Sequence, residues 1–127
     1  MYDEILQSVI DMADAAIGES IVIGSMPPDN GIAMIGTSRS DPIFLDIGSN
    51  EELDVICNGK NSDQEIVIQK LDAIHKDLTR RKRFPSNGEW QIYSIETIAS
   101  PRLIGREANS QWIYGSSLLV KINVKGI

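Results

Sequence analysis

Apolar positions recur at helical spacing in two stretches of this chain. The first stretch runs from Tyr2 to Ile17, and Gly18 behind it suits the left-handed residue that ends many helices. The residues that share the apolar face of this predicted helix are Ile5, Val9, Met12 or Ala13, and Ala16, flanked by Leu6, Ile10 and Ile17. The acidic residues on its other face are expected to be solvated.

The second helical stretch is longer and lies near the middle of the chain. Its apolar residues are spaced by four, three and four positions and form one stripe: Val67, Leu71, Ile74 and Leu78. Ser62 and Glu65 fit a capping box, so this helix is predicted to begin near Ser62. It is predicted to run into four cations, which the helix dipole favours at this end, and to stop at Pro85 and Gly88. The four cations are Arg80, Arg81, Lys82 and Arg83.

The pattern of apolar and polar residues predicts three longer strands, the second with the mixed pattern of a central or irregular strand. The first, Glu51–Asn58, is followed by a predicted turn at Gly59 and Lys60. The second, Trp90–Ile98, is predicted to end at Ser100-Pro101, because proline cannot donate to a β-ladder. The third, Leu118–Val124, alternates most regularly and is typical of a half-buried strand.

Shorter apolar segments predict further pieces of sheet. They are Ile21–Ile23, Ile32–Ile35, Ile43–Leu45, and a small hairpin made of Leu103–Glu107 and Gln111–Tyr114 with its turn at Asn109-Ser110. The polar segment Thr37–Pro42 is predicted to be an exposed excursion. Two prolines and Asn-Gly force a loop at Met26, Pro27, Pro28, Asp29 and Asn30, which is either a contact surface or an ordinary connection.

The order of these elements lacks the strict strand–helix alternation of a doubly wound parallel sheet. It predicts an α+β fold with a mixed, mainly antiparallel sheet of about four main strands and both helices packed on one face. At 127 residues the chain is expected to form a single domain, residues 1–127. Its 42% hydrophobic and 24% charged residues are typical of a globular protein, and no apolar run reaches the roughly 20 residues of a membrane span.

Charge is distributed unevenly along the chain. Residues 1–59 contain eleven acids and one base (−10), whereas residues 60–127 contain eleven bases and seven acids (+4), which together give the net charge of −6. The two halves either complement each other within one domain or form an acidic and a basic face on opposite sides of a subunit. The second arrangement would favour head-to-tail association.

No catalytic, cofactor-binding or metal-binding pattern is found in the sequence. The single histidine, His75, lies beside the apolar stripe of the long helix, and the single cysteine, Cys57, is predicted to be a core residue. One cysteine and one histidine exclude an intrachain disulfide and a Cys/His zinc cluster. Gly59-Lys60 lacks the remaining residues of a phosphate-binding loop. We therefore predict that the protein is not an enzyme and has no cofactor.

The basic cluster Arg80–Arg83 is open to three interpretations. Four cations at a helix end can be a solvated turn, a docking patch for an acidic protein surface, or a set of phosphate contacts. The sequence pI near 4.7 and the few aromatic residues argue against binding of nucleic acid.

The order and spacing of several short motifs resemble the family of small tailed-phage minor capsid or tail-terminator proteins. The motifs are Ile23-Gly24-Ser25-Met26-Pro27; a strand entering Gly59-Lys60; Asp63-Gln64-Glu65 before Leu71, Ile74 and Leu78; Ile92–Ile98; Ser100-Pro101; Ile104-Gly105 and Glu107; Trp112-Ile113-Tyr114; and Leu118–Val124. The segment Thr37–Ile47 departs from the family, which often has a glycine pair there.

The resemblance implies a structural role in phage assembly. Such proteins form a ring, typically a hexamer, at the head-proximal end of a siphophage tail tube, where they end tube polymerisation and provide the head-joining surface. The implied partners are other copies of the chain, the major tail tube protein, head connector proteins, and genomic DNA that passes through the lumen without sequence-specific binding. No membrane is involved, and the implied location is the tail or neck of the virion, assembled in the bacterial host cytoplasm.

A ring of this kind would pair acids of the first half of the chain with bases of the second. The predicted interface residues are Asp11, Asp14, Glu51, Glu52, Arg80, Arg81, Lys82, Arg83, Arg102 and Arg106, and the proposed contact loop is Met26–Asn30. The alternatives are a head-completion or other neck protein, and a nucleic-acid-binding regulator that uses Arg80–Arg83. An enzyme would need a titratable constellation that the sequence lacks.

Overall fold

The computed structural model describes residues 2–38 and 50–124, which form two helices and a five-stranded sheet. In chain order these elements are α1 (Tyr2–Ile17), β1 (Val22–Ile23), β2 (Ile32–Ser38), β3 (Asn50–Asn61), α2 (Gln64–Arg80), β4 (Trp90–Arg106) and β5 (Trp112–Val124). The predicted α+β class is confirmed, with the two-residue β1 added to four main strands. Thr37 and Ser38 belong to β2, whereas the rest of the predicted excursion and the Ile43–Leu45 piece lie outside the described residues.

The strands are ordered β1-β2-β3-β5-β4 across the sheet. β1 runs parallel to β2, and every other neighbouring pair is antiparallel. The longest strands, β4 and β5, form one hairpin, and β3 pairs with β5 along its whole length. The sheet is therefore mainly antiparallel, as the order of elements predicts.

Both helices cover the same face of the sheet, where the hydrophobic core lies. Alternation places Leu53, Val55 and Cys57 of β3 on this face, and all three are buried. β5 contributes Leu118, Val120 and Ile122 in the same way, and the helices contribute their apolar stripes. Gly18, with φ +69°, ends α1 by donating its N–H to Asp14 O at 2.8 Å, as the sequence predicts.

The predicted turn at Gly59-Lys60 is wrong, because β3 continues through both residues to Asn61. Gly59 pairs with Ile32 on one side and with Tyr114 on the other. A Cβ atom at Gly59 would lie 2.5 Å from Ile32 Cδ1 and 2.7 Å from Val67 Cγ2. Glycine is therefore required here by the close approach of β2 and α2 and not by a turn.

α2 begins near Ser62 as predicted, but the predicted capping box is wrong, because the N-cap is Asp63 and not Ser62. Asp63 Oδ1 accepts a hydrogen bond from Glu65 N at 3.0 Å. Ser62 is engaged elsewhere, since its N–H donates to Asn30 Oδ1 at 3.2 Å. At the other end the helix stops at Arg80 and the backbone of Arg81 is extended, so the last three cations of the basic cluster lie beyond the helix and not within it as predicted.

Ser100-Pro101 does not end the second long strand, contrary to the prediction. β4 runs from Trp90 to Arg106 at the edge of the sheet, and register shifts flank the proline. Proline is tolerated there because an edge strand has one side on which no ladder needs its missing N–H. The predicted small hairpin is thus the outer half of the β4–β5 hairpin, and its turn at Asn109-Ser110 is confirmed by the φ of +68° at Ser110.

Candidate protein-interaction surfaces

The single histidine and the single cysteine are both buried against neighbouring strands or helices. His75 is buried between α2 and β4, and its Nδ1 shares a hydrogen bond with Thr97 Oγ1 at 2.8 Å. Burial lowers the pKa of His75, and the nearby Asp72 carboxylate partly opposes that shift. Cys57 is fully buried in β3, and burial raises the pKa of its thiol to about 12. Both side chains are therefore held within the packing of the helices against the sheet.

The described residues also offer no obvious site for a metal ion. Within residues 2–38 and 50–124, no three or more His, Cys, Asp or Glu side chains converge in a way that could hold one. Across the same ranges, no helix is long and apolar enough to span a membrane. The exposed surface includes the predicted contact loop, the charged clusters and the edges of the sheet.

The predicted contact loop, Met26–Asn30, is held firmly to the domain. Pro27 is buried, whereas Met26 is 65% exposed. Asn30, with φ 55°, donates its backbone N–H to Gln111 Oε1 at 2.8 Å. This loop therefore presents its exposed side chains from a fixed backbone.

Lys60 joins this loop to the tip of the β4–β5 hairpin. Its side chain is largely buried, and its Nζ lies 3.4 Å from Asp29 Oδ1 and 2.5 Å from Glu107 Oε1. The hydrogen bond with Glu107 raises the pKa of Lys60, which keeps the ammonium charged. Lys60 therefore connects β3, the contact loop and the hairpin tip at one end of the sheet.

The four predicted acidic interface residues differ in their surroundings. Asp11 is exposed and accepts a hydrogen bond from Gln7 Nε2 at 2.9 Å. Asp14 accepts from Ile21 N at 2.8 Å and so fixes the connection between α1 and β1. Glu51 is only 3% exposed, and Glu52 is half-buried. Asp11 is thus the most accessible of the four, and the interface role of all of them stays a prediction.

The basic cluster lies next to acidic residues of the same chain. Arg81 Nε donates to Asp77 Oδ2 at 2.9 Å, while Arg80, Lys82 and Arg83 are exposed. Arg81 and Asp11 line one surface depression, so these two predicted interface residues are neighbours within the subunit. Their charges are therefore not on opposite sides of the domain.

Ion pairs also connect the acidic first half with the basic second half. Lys70 Nζ lies 2.6 Å from Glu19 Oε1, and Lys60 is paired with Asp29 as described above. Complementation within one domain, the first of the two alternatives for the uneven charge, is confirmed at these sites. The two arginines of β4, Arg102 and Arg106, do not belong to these ion pairs.

Arg102 and Arg106 are exposed in the part of β4 that follows Pro101, residues 102–106, which forms the outer half of this strand next to the hairpin turn. The Arg106 guanidinium carbon lies 4.8 Å from the centroid of the Trp112 ring, a cation–π contact that orients it. Arg102 lines a depression of about 230 Å³ together with Ile56 and Ile104. Ile56 alternates with the buried residues of β3, so this depression is on the face away from the helices.

The two edges of the sheet expose large apolar side chains. At the β4 edge these include Leu103, which is 51% exposed, and the neighbouring Ile98 and Ile104. At the β1 edge they are Ile23, which is 57% exposed, and Val22. Sequence reasoning missed these positions as a site. The consecutive Leu103-Ile104 shortly after Pro101 was the available signal, since two adjacent apolar residues in a strand point to opposite faces.

Comparisons with known proteins agree with this fold. No curated protein sequence matches the chain significantly. A chain from a solved structure described as the virion of a native gene transfer agent particle has a TM-score of 0.65 at 8% sequence identity, with 92% of each chain covered. At this level of identity the likeness concerns the fold alone.

The model of one protein family matches residues 8–124, which include most of α1 and every strand of the sheet. The description of that family is bacteriophage tail terminator protein. The match covers the same segments that carry the sequence motifs, from the loop at Met26 to the end of β5. The chain therefore belongs to the bacteriophage tail terminator family.

Proposed function

We propose that this protein forms a ring at the head-proximal end of a phage tail tube, where it ends polymerisation of the tube protein and provides the surface that joins the head. The observation that carries this proposal is the family match over residues 8–124. A structural role in the phage tail follows from the family, and the ring, its position and its partners are the proposed part.

The proposed ring is a hexamer built from repeated head-to-tail contacts. Heterologous contacts close into a ring when the rotation between neighbours is a whole fraction of a turn. The described sheet supports such contacts because its two edges differ in sequence and both expose apolar side chains. The proposed partners are the major tail tube protein on one side and head connector proteins on the other, with DNA passing through the lumen.

Contacts with DNA are proposed to be independent of sequence. The exposed Arg80, Lys82 and Arg83 are instead proposed to contact an acidic protein surface, while Arg81 is held by Asp77. The protein would act in the tail or neck of the virion after assembly in the host cytoplasm.

The proposal is tested with purified protein and with tail tubes of the same phage. Native mass spectrometry and light scattering should show rings in the presence of tube ends, and electron microscopy should show one ring at one end of each tube. Adding the protein during tube polymerisation should shorten the tubes. A protein that stays monomeric and never binds tube ends would refute the proposal, and binding to head connectors alone would identify a neck protein instead.

A further inference from the structure

Among the described residues β1 and β4 form the two edges of the sheet, and both lie at the same level of the molecule. Paired residues form one continuous row across all five strands: Val22, Ala33, Asn58, Gly115 and Arg102. This row begins at the exposed edge of β1 and ends at the outer half of β4. The edges of β1 and β4 therefore lie at the two ends of the same row and face in opposite directions.

The direction of the strands also suits contact between the two edges. β1 is parallel to β2, and three antiparallel pairings separate β2 from β4, so β4 runs opposite to β1. If neighbouring copies are related by rotation about an axis along the strands, β4 of one copy meets β1 of the next in an antiparallel orientation. Antiparallel edges can form a regular ladder of hydrogen bonds.

The charges next to the two edges are complementary. Residues 1–38, which include β1 and its flanking segments, contain no lysine or arginine. Of the acids in these flanking segments, Glu19 is paired with Lys70 of its own chain, whereas Asp29 lies 3.4 Å from Lys60 but is still 62% exposed and so accessible to a second cation. The outer half of β4 carries the exposed bases Arg102 and Arg106. Opposite charges next to the two edges guide association and disfavour contact of either edge with its own copy.

We propose that the outer half of β4, around Arg102–Ile104, binds the β1 edge of a second copy, around Val22–Ile23, in a head-to-tail contact. A ladder with the two residues of β1 is short, so the apolar side chains at both edges supply much of the contact. Repetition of the contact joins the sheets of successive subunits. This inference rests on the proposed ring and assigns the subunit surfaces within it.

The contact is tested by cross-linking with cysteines on the two edges. The double variant Ile23→Cys/Leu103→Cys, assembled on tail tubes and treated with a short bismaleimide, should give a ladder of covalent oligomers on denaturing gels. Each single variant should give none, and a mixture of the two should give dimers only. Cys57 serves as an internal control because it is fully buried with a pKa of about 12.

The outcomes separate the contact from the ring. Rings seen by native mass spectrometry without cross-links in the double variant would overturn this contact and leave the proposed function standing. Dimers of Leu103→Cys alone would overturn it in favour of a symmetric β4–β4 contact. Failure to form any oligomer on tube ends would refute the proposed function, and with it this inference.

A second experiment compares two substitutions in the same strand. Leu103→Lys should raise the protein concentration needed for half-maximal ring formation by about tenfold or more, the scale of a central apolar contact. Tyr93→Lys is the matched control, since Tyr93 is 47% exposed but lies in the other half of β4. Circular dichroism and thermal unfolding would verify that both variants fold, and equal effects of the two substitutions would contradict the proposal.

Discussion

At the residue scale, His75 is a buried titratable group that has a hydrogen bond on one side only. Its Nδ1 is joined to Thr97 Oγ1, while Nε2 is buried and has no hydrogen-bond partner among the described residues. A neutral imidazole with Nδ1 protonated can leave Nε2 as an unpaired acceptor. A protonated imidazole would leave an unpaired donor and a charge in a buried place, which is more unfavourable.

The free energy of unfolding should therefore decrease as the pH is lowered, and part of this decrease should depend on His75. The pKa of His75 is lower in the folded chain than its ordinary value of 6.5, so below that pH the unfolded chain binds more protons and unfolding is favoured. In His75→Gln, which retains a partner for Thr97, the loss of unfolding free energy between about pH 7.5 and about pH 5 should be smaller. Urea unfolding at both pH values measures the difference, and equal losses in the two proteins would contradict the assignment.

At the element scale, the start of α2 depends on a side chain one position beyond the predicted cap. Asp63 accepts the Glu65 N–H and is itself positioned by Asn61, whose Oδ1 accepts the Asp63 N–H at 2.9 Å. Ser62 lies between β3 and this cap, and its backbone N–H donates to Asn30 Oδ1 at 3.2 Å.

The capping role is tested by two neighbouring alanine substitutions. Asp63→Ala should lower the free energy of unfolding by about 0.5–2 kcal/mol, the usual range for loss of an N-cap acceptor. Ser62→Ala is the matched control and should have a smaller effect, because only its backbone N–H is hydrogen-bonded within the described residues. Denaturant unfolding of both variants decides between the capping box read from the sequence and the cap in the structure.

The passage of β3 beneath α2 depends on glycine for a steric reason. The nearest atom to an added Cβ on the helix side is a methyl of Val67, which is β-branched and therefore restricted in a helix. Gly59→Ala should consequently destabilise the fold by about 1–3 kcal/mol through overpacking. Gly88→Ala is the control, since an added Cβ there meets nothing within 4 Å. Similar midpoints of thermal unfolding for the two variants would contradict this explanation.

At the scale of the whole molecule, Lys60 connects segments that are far apart in sequence. It reaches Asp29 in the first half of the chain and Glu107 in the second, at the end of the sheet where the hairpin turns. The loop at Met26–Asn30 and the hairpin tip are also joined by Asn30 and Gln111. These contacts give the exposed Met26 and the outer half of β4 defined positions.

Removal of this connection should loosen both segments together. In Lys60→Met, hydrogen exchange should become faster in the backbone N–H groups of Asn30 and Gly31 and in those of the hairpin turn, with the core of β5 unaffected. Lys76→Met is the control, because Lys76 is exposed and pairs only with Asp72 on its own helix within the described chain. Faster exchange confined to one of the two segments would show that Lys60 does not couple them.

The sequence by itself determined the parts of the structure that depend on local periodicity. The face of α1, the stripe of α2 and the alternation of Leu53, Val55 and Cys57 were all predicted correctly, because burial on one side imposes a fixed spacing. The α+β class followed from the order of these elements. The resemblance to tail terminators rested on the same segments and agrees with the family match.

The tertiary structure decided what depends on neighbours distant in sequence. Gly59-Lys60 and Ser100-Pro101 are locally typical of turns and breaks, yet both lie inside strands. The first is held by ladders on both sides, and the second is tolerated because β4 is an edge strand. Position within the sheet also set the exposure of Leu103 and Ile23 at opposite edges. No local pattern encodes that position, so these edges became visible only once the strands were paired.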